Sequence, residues 1–155
     1  LFNKYHNRVP FVKDLMNNTS RDASGSGYIT TLLGRKCRFD KWEEAVYNPG
    51  VLKIPMSHAE AEKKYGGESI RRAFTYKALN KLIQGSAADM TKKAMLDLYK
   101  EGIIPHIQVH DELDISVESP EQAKKIIEIM EKAVTLKIPN KVDYEEGNNW
   151  GEING

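Results

Sequence analysis

Residues 109–114, with the sequence Val-His-Asp-Glu-Leu-Asp, decide the fold of this chain. Apolar and polar residues alternate before this stretch, over 106–109, and again after it, over 113–118. Alternation with a period of two is typical of β-strands, because successive side chains point to opposite faces of a sheet. The sequence therefore predicts two strands joined by a tight turn, with His-Asp-Glu at the tip.

Asp111 and Glu112 are adjacent carboxylates that a hairpin does not need in order to fold. Rigid strands that hold an exposed acidic pair are suited to a hard divalent cation such as Mg²⁺. The alternative is an ordinary acidic β-turn, since Asp is common in turns. Two-metal phosphoryl transfer needs carboxylates from at least two places, around ions about 3.5–4 Å apart. The sequence offers one obvious cluster, and strand alternation is expected to turn Asp114 outward from the sheet.

The composition of the chain limits its class. The 155 residues are 40% hydrophobic and 29% charged, which is a globular composition and not a disordered one. No apolar run approaches the ~20 residues of a membrane helix, so no membrane partner is expected. The single cysteine, Cys37, excludes an internal disulfide and a Cys-based zinc site, and it favours a cytoplasmic location. The net charge of +1 does not by itself indicate a nucleic-acid partner.

The first part of the chain is predicted to be mainly helical. Pro10 begins a helix that runs to about Ala23, and short strands follow at 28–32 and 37–39. Residues 40–69 are the least regular, with one helix over 57–65, and they are predicted to be an inserted loop.

The second part, residues 70–155, predicts the order helix, strand, strand, helix, strand. A long helix is expected from about Ile70 to Glu101, and Ser119 caps a second helix in which Gln122 closes a capping box. Pro139 is expected to end that helix, and residues 141–145 alternate as a last strand. This order is a β-α-β-β-α-β unit that lacks its first strand, in an α+β fold. Both helices are expected on one face of the sheet, with the other face open.

Asn80 and Gln84 form a second motif, on the long predicted helix. Their i, i+4 spacing places both amides on one helix face. Amides presented in this way can donate to minor-groove acceptors, which every base pair offers in similar positions. The alternative is two ordinary surface amides. Gly85 follows directly, and because Gly costs about 1 kcal/mol against Ala inside a helix, it predicts a close approach to the helix backbone.

A third motif is the basic segment Arg-Lys-Cys-Arg at residues 35–38, at the end of the first predicted hairpin. Basic side chains there suit contacts with phosphate groups. The alternative is a solvated basic turn.

Together these segments resemble the family A DNA polymerases, of bacteriophage type. The shared patterns occur in the family's order: Gly-Tyr-x-x-Thr-x-x-Gly-Arg at 27–35, Asn…Gln-Gly-Ser-Ala-Ala-Asp at 80–89, and Gln-Val-His-Asp-Glu-Leu at 108–113. Trp150, after an acidic stretch, also matches the family's usual ending. The resemblance covers nearly the whole chain apart from residues 40–69.

The resemblance implies a hand-shaped enzyme and assigns roles to particular residues. Residues 1–69 would be the later part of the fingers, including the inserted loop 40–69, and residues 70–155 part of the palm, with a palm-type antiparallel sheet backed by helices. The implied catalytic residues are Asp111 and Glu112, as ligands of two Mg²⁺ ions, and His110, which would also contact the DNA close to the primer terminus. The other implied DNA contacts are Asn80 and Gln84 in the minor groove and Arg35 at a phosphate.

The resemblance also implies partners, namely primer-template DNA and deoxynucleoside triphosphates. The family's Asp-x-Ser-x-x-Glu-x-Arg motif, which carries its other metal-binding aspartate, does not occur here, and neither does its Arg/Lys helix ending in Tyr-Gly. Since the chain also begins at Leu1, we expect the C-terminal part of a DNA-directed DNA polymerase, inactive without a missing N-terminal portion on the same chain or on a separate subunit. Encoded by a phage, it would act in the bacterial host cytoplasm.

Two other classes of function remain open at this point. A non-catalytic module could bind duplex DNA through Asn80, Gln84 and the basic hairpin. A metal-dependent nuclease could use the His-Asp-Glu sequence at 110–112, although no other clustered acids support it.

Overall fold

Short antiparallel ribbons and longer helices alternate along the chain, in a computed structural model that describes residues 5, 8–46, 50 and 52–153. This mixture of elements confirms the α+β class. In chain order the elements are α1 (Pro10–Ser26), β1 (Tyr28–Thr30), β2 (Lys36–Arg38), β3 (Trp42–Glu44), α2 (His58–Tyr65), β4 (Ile70–Arg72), α3 (Ala78–Lys100), β5 (Ile107–Val109), β6 (Glu112–Asp114), α4 (Pro120–Lys132) and α5 (Trp150–Ile153). The chain divides into unit 1, which ends at Ser86, and unit 2, which begins at Ala87.

Helix α1 begins at Pro10 as predicted and ends three residues later than expected. Gly27 caps it in the left-handed conformation, with φ 79°, and donates its N–H to the carbonyl oxygen of Ala23 at 3.1 Å. Glycine adopts this conformation without steric cost, so it is the usual residue after a helix end. The buried residues of α1 are Thr19 and Ala23.

Strands β1 and β2 form the predicted hairpin, with Tyr28 opposite Arg38 and Thr30 opposite Lys36. Ile29 is buried between them and α1, because it is the middle residue of β1 and points to the core face. The core of unit 1 consists of Ala23, Ile29, Phe39 and Ala78, with Cys37 and Leu82 packed against it.

The predicted start of the long helix at Ile70 is wrong. Residues 70–72 form β4, which pairs antiparallel with β3, Trp42 lying opposite Arg72. Phe74 then has a positive φ of 63°, which no helix interior accommodates, and α3 begins only at Ala78. Residues 40–69 are therefore more regular than expected: β3 lies within them, and the expected helix is present as α2, capped by Ser57.

In unit 2 both helices pack on one face of the β5–β6 ribbon, as predicted. Leu98 of α3 and Ile126 of α4 form a buried cluster with Ile103, and Leu113 of β6 packs against it. Ile107 and Val109 are 45% and 41% exposed. They belong to the other face of the ribbon, which is open.

Helix α4 is capped by Ser119, whose hydroxyl accepts from the N–H of Gln122 at 3.2 Å. The predicted capping box is wrong in one detail: the Gln122 carboxamide oxygen accepts from the N–H of Glu118, at 2.6 Å, one residue before the cap. The helix ends at Lys132, well before Pro139.

The predicted last strand is wrong as well. Residues 141–145 have no strand conformation and pair with none of the strands in the described ranges; the Val142 N–H donates instead to the Glu131 carboxylate at 3.3 Å. Alternation alone does not make a strand, because the backbone N–H and C=O groups need a partner. Among the described residues, no helix combines the length and apolarity needed to cross a lipid bilayer.

Candidate active site and nucleic-acid interface

The candidate catalytic residues lie at the tip of the β5–β6 ribbon. Val109 and Glu112 are the last paired residues, so His110 and Asp111 form a two-residue turn. The side chains of His110, Asp111 and Glu112 are all exposed. The ribbon therefore presents an imidazole and two carboxylates in succession to solvent, on a support anchored to the core through Leu113.

The backbone of His110 is fixed by the turn itself. Its φ of 53° lies in the left-handed region, where His is one of the few enriched non-glycine residues. A positive φ at the first turn position belongs to the primed turns that match the twist of a two-residue hairpin. Gln108 donates from Nε2 to the carbonyl oxygen of His110 at 2.7 Å, within the same ribbon. The direction of the tip is thus set by its own residues.

The tip offers the donor type that Mg²⁺ prefers, because carboxylate oxygens are hard ligands. Asp111 and Glu112 supply two carboxylates, and Glu112 shares the open face of the ribbon with Asp114, two residues further along β6. Nowhere in the described ranges do three or more His, Cys, Asp or Glu side chains come together as a metal-binding group. The pair fits part of a magnesium site and leaves the rest of the coordination sphere to other ligands.

The two candidate minor-groove residues lie on the first turns of α3. Asn80 and Gln84 are exposed, and so is Ile83, at 59%. An exposed aliphatic side chain beside the two amides is compatible with a duplex groove, in which sugar and base edges alternate with polar acceptors. This part of α3 lies in unit 1.

Arg35 lies in the turn between β1 and β2 and contacts α3. Its Nη2 donates to the carbonyl oxygen of Gly85 at 2.8 Å, and its Nη1 lies 3.9 Å from Cys37 Sγ. Its backbone N–H donates to the hydroxyl of Thr31 at 3.1 Å. The residue predicted to contact phosphate is therefore bonded to the helix that carries Asn80 and Gln84.

The expectation of a close approach at Gly85 is confirmed. A Cβ at this position would lie 2.9 Å from Thr31 Cγ2 and 3.3 Å from Arg35 Nη2, so the turn leaves no room for a side chain. Ser86 makes a second contact, since its hydroxyl accepts from the backbone N–H of Leu32 at 3.0 Å. We call these contacts between residues 31–37 and residues 85–86 the hairpin–helix junction.

Sequence reasoning did not assign roles to Thr31 and Ser86. Both belong to the quoted motifs, Thr31 in the Gly-Tyr-x-x-Thr pattern and Ser86 directly after Gly85. A hydroxyl beside an in-helix glycine was the available signal, because small polar residues there allow another backbone to approach and bond.

The two units carry opposite net charge. Residues 1–86 contain 15 Lys and Arg against 8 Asp and Glu, a formal charge of +7. Residues 87–155 contain 8 Lys and Arg against 14 Asp and Glu, a formal charge of −6. Arg35, Asn80 and Gln84 lie in the basic unit, whereas His110, Asp111 and Glu112 lie in the acidic unit. A basic unit suits a polyanion, and an acidic one suits cations.

Comparisons with known proteins agree with the motifs. The family described as DNA polymerase family A matches residues 1–152. The DNA-directed DNA polymerase of Pseudomonas phage M6 is 37% identical over 155 residues, which is all of this chain and 20% of that protein. DNA polymerase I of Bacillus caldotenax is 35% identical over 156 residues, covering 95% of this chain and 15% of that protein. The chain thus spans a fifth or less of the length of these relatives.

A solved structure matches in the same way. The POL domain of Pol1 from M. smegmatis, in complex with DNA primer-template and dNTP, aligns with 99% of this chain and 25% of its own, with a TM-score of 0.70 and 27% sequence identity. Because the family match extends over nearly every residue and includes all three motifs, the chain belongs to DNA polymerase family A.

Proposed function

We propose that this chain is the C-terminal part of a DNA-directed DNA polymerase that adds deoxynucleotides to a primer on a DNA template. The observation that carries the proposal is the exposed His-Asp-Glu tip of the β5–β6 ribbon, held by Leu113 and by the Gln108 side chain. The family match supports the reaction class, and the bacteriophage relative supports a phage-type enzyme.

In this proposal Asp111 and Glu112 hold Mg²⁺ near the primer terminus. When bound, two such ions stabilise the attacking and leaving oxygens of an in-line displacement. The primer 3′-hydroxyl attacks the α-phosphate of the incoming nucleotide, and pyrophosphate leaves. His110 stands beside both carboxylates at the turn and has a ring N–H available to orient the primer end. The protein contributes mainly by positioning charged groups, as is general for phosphoryl transfer.

Unit 1 supplies the duplex contacts in this proposal. Asn80 and Gln84 donate to minor-groove acceptors of the newly formed base pairs, independently of sequence, because those acceptors recur in every pair. The basic hairpin lies next to phosphates of the same duplex. Its Lys36 and Arg38 are exposed, as phosphate contacts require.

The proposed enzyme is complete only with further protein. The two carboxylates at the tip leave metal ligands to be supplied, and the curated relatives are at least five times longer than this chain. We propose that the missing ligand and the nucleotide-binding residues come from an N-terminal polymerase portion, on the same chain or as a separate subunit. The isolated 155 residues are then inactive in primer extension.

The test is Asp111→Asn in the assembled polymerase, with Asp114→Asn as the matched control on the same ribbon. Asp111→Asn should lower the extension rate at least about a hundredfold, because the metal contributes several kcal/mol to charge stabilisation and 1.36 kcal/mol is tenfold in rate. Asp114→Asn should leave the rate within a few-fold. Near wild-type extension by Asp111→Asn would contradict the assignment of Asp111 as a metal-binding catalytic residue.

A second candidate function is a non-catalytic module that binds duplex DNA. The charge of +7 on residues 1–86 favours it, since that unit needs no metal to bind a polyanion. A titration of the chain with duplex DNA, with and without Mg²⁺, distinguishes the two functions. Binding that is indifferent to Mg²⁺ and to Asp111, in a protein that never extends a primer, would favour the module.

A further inference from the structure

We infer that Arg35 is a positioning residue, which holds the basic hairpin on α3 beside the proposed minor-groove amides, and is not itself a phosphate ligand. The inference rests on the proposed function of Asn80 and Gln84 in binding duplex DNA. It concerns the hairpin–helix junction, which lies entirely within unit 1.

The guanidinium of Arg35 is bonded on two sides within the protein. Nη2 donates to the Gly85 carbonyl oxygen at 2.8 Å, and Nη1 lies against Cys37 Sγ at 3.9 Å. A planar guanidinium can reach both groups at once because its donors form a rigid fork. A lysine ammonium carries the same charge but has no such fork, so it can keep a phosphate contact and lose this one.

Two more hydrogen bonds fasten the same turn. Ser86 Oγ accepts from the N–H of Leu32 at 3.0 Å, which joins the turn to the helix one residue beyond Gly85. Thr31 Oγ1 accepts from the N–H of Arg35 at 3.1 Å and fixes the start of that side chain. Thr31 is 4% exposed, so this bond is shielded from water. The turn is thus held to α3 by a built set of contacts.

The position of the junction gives it a role in binding. Gly85 directly follows Gln84, and Asn80 lies five residues before Gly85 on the same helix. Lys36 and Arg38 are exposed on the hairpin that the junction holds. A duplex that contacts these cations by its phosphates and the amides by its minor groove needs both sets at a fixed separation. Pre-organised contacts of this kind raise affinity because no ordering entropy is lost on binding.

The two roles of Arg35 predict different salt dependence. A phosphate contact releases counterions, so its loss reduces the slope of log K against log salt by about 0.9. The loss of a positioning residue lowers the affinity and leaves the slope unchanged. We therefore compare Arg35→Lys, Arg35→Ala, Ser86→Ala and Arg38→Ala in the 155-residue chain, by fluorescence anisotropy with a short duplex from 50 to 300 mM NaCl, roughly the range over which such slopes are measured.

Arg35→Lys and Ser86→Ala should each weaken duplex binding about fivefold at every salt concentration, with an unchanged slope, as expected for the loss of one hydrogen bond. Arg38→Ala should reduce the slope by about 0.9. Wild-type affinity in Arg35→Lys, combined with a reduced slope in Arg35→Ala, would overturn the inference and show that Arg35 contacts a phosphate.

A second readout needs no DNA. In the free chain, the Leu32 amide should exchange its hydrogen about fivefold faster in Arg35→Lys than in the wild type, because the turn is less firmly held. Arg38→Ala should leave that amide unchanged. A wild-type chain that binds no duplex overturns the proposed duplex contacts of Asn80 and Gln84, whereas a Leu32 amide whose exchange is indifferent to Arg35→Lys overturns the positioning role.

Discussion

Arg72 lies directly opposite Trp42 in the β3–β4 ribbon, with its guanidinium carbon 4.6 Å from the centroid of the Trp42 ring. The same guanidinium donates from Nη1 to the carbonyl oxygen of Phe39 at 3.0 Å. Arg72 therefore ties the ribbon to the end of the first hairpin. Arg71, the preceding residue, points to the opposite face of the ribbon, where its Nη2 lies 2.8 Å from Glu43 Oε1.

Gly27 lies against the Arg72 guanidinium, and Gly27→Ala should be strongly destabilising. A Cβ at residue 27 would lie 2.7 Å from Arg72 Cζ, and the hydrogen bond to the Phe39 carbonyl oxygen and the contact with the Trp42 ring both oppose displacement of that guanidinium. The positive φ of 79° adds about 1–2 kcal/mol of strain, and overpacking adds about 1–3 kcal/mol. We expect the free energy of unfolding, measured in urea, to fall by about 2–5 kcal/mol.

The matched control for Gly27 is Gly34→Ala. Gly34 also has a positive φ, 89°, but nothing lies within 4 Å of its Cβ position. It should lose only the strain of about 1–2 kcal/mol. Equal losses in the two variants would contradict a tight contact between residue 27 and Arg72.

Gly85→Ala should destabilise the protein, although alanine favours a helix by about 1 kcal/mol. The new Cβ meets Thr31 Cγ2 at 2.9 Å, and the bond from the Arg35 N–H prevents Thr31 from turning away. Overpacking of about 1–3 kcal/mol should exceed the gain in helix propensity. The measurement is urea unfolding of the whole chain, and the expected change is a net loss of about 1 kcal/mol.

Gly25→Ala tests the same substitution without the contact. Gly25 also lies inside a helix, α1, with nothing within 4 Å of its Cβ position. This variant should gain up to about 1 kcal/mol. If Gly85→Ala raises the free energy of unfolding as much as Gly25→Ala does, the hairpin–helix junction is not tightly packed.

The features predicted correctly from the sequence are those whose causes are local. The β5–β6 turn follows from period-two alternation on both sides of His110 and Asp111, and the α1 start follows from Pro10. The β3–β4 ribbon was missed because Trp42 and Arg72 are distant in sequence, and no local pattern states which strands pair. Residues 141–145 show the converse: apolar and polar residues alternate along them, yet they pair with no strand in the described part of the chain.

The residues of the candidate site likewise include some that the sequence identifies and some that only the structure reveals. Residue types and spacing selected Asp111, Glu112, Asn80 and Gln84, all of which are exposed as their proposed roles require. The in-helix Gly85 predicted a close neighbour but could not identify it. Only the three-dimensional arrangement identifies that neighbour as Arg35 and reveals Ser86 as its companion.

Asn80→Ala and Gln84→Ala should each weaken duplex binding about fivefold, through the loss of one hydrogen bond of about 1 kcal/mol. The loss should be the same for any base sequence, because minor-groove acceptors recur in all pairs. Replacement of adenine by 3-deazaadenine, which lacks the minor-groove N3, should weaken wild-type binding but have no further effect on the variant whose amide contacts that base. Additive losses for both amides at every deaza position would argue against minor-groove contacts.

Acid should release the start of helix α2. The Ser57 hydroxyl and the Ser57 N–H both bond to the carboxylate of Glu60, and these bonds lower the pKa of Glu60 below its ordinary value of 4.5. Because the pKa of Glu60 is lower in the folded state, its ionised carboxylate stabilises the helix above pH 4.5. This contribution is lost as the pH falls through the lowered pKa. The protection of the Glu60 amide against hydrogen exchange, measured relative to the intrinsic rate at each pH, should therefore decrease at acid pH.

Glu60→Gln provides the control for this pH dependence. Glutamine keeps an acceptor for the Ser57 N–H but does not titrate, so the additional acid-induced exchange should disappear. Glu68→Gln, in the 3₁₀ turn that follows α2, should leave it in place. Persistence of the acid response in Glu60→Gln would assign it to another group.

The β3–β4 ribbon has a consequence for how this protein can change over evolution. Ala45 donates its N–H to the carbonyl oxygen of Ser69 at 2.7 Å, so the chain leaves the ribbon and re-enters it at almost the same point. Each doubling of a loop closed in this way costs only about 0.6 kcal/mol. The length of the connection between residues 45 and 69 can therefore change at little cost, provided that Met56 keeps the two backbone hydrogen bonds that it exchanges with Trp42, at 2.8 and 2.9 Å. The ribbon leaves room for lineage-specific or engineered changes in the length of this connection, but not for the removal of Met56 or of the buried Ala61 of α2.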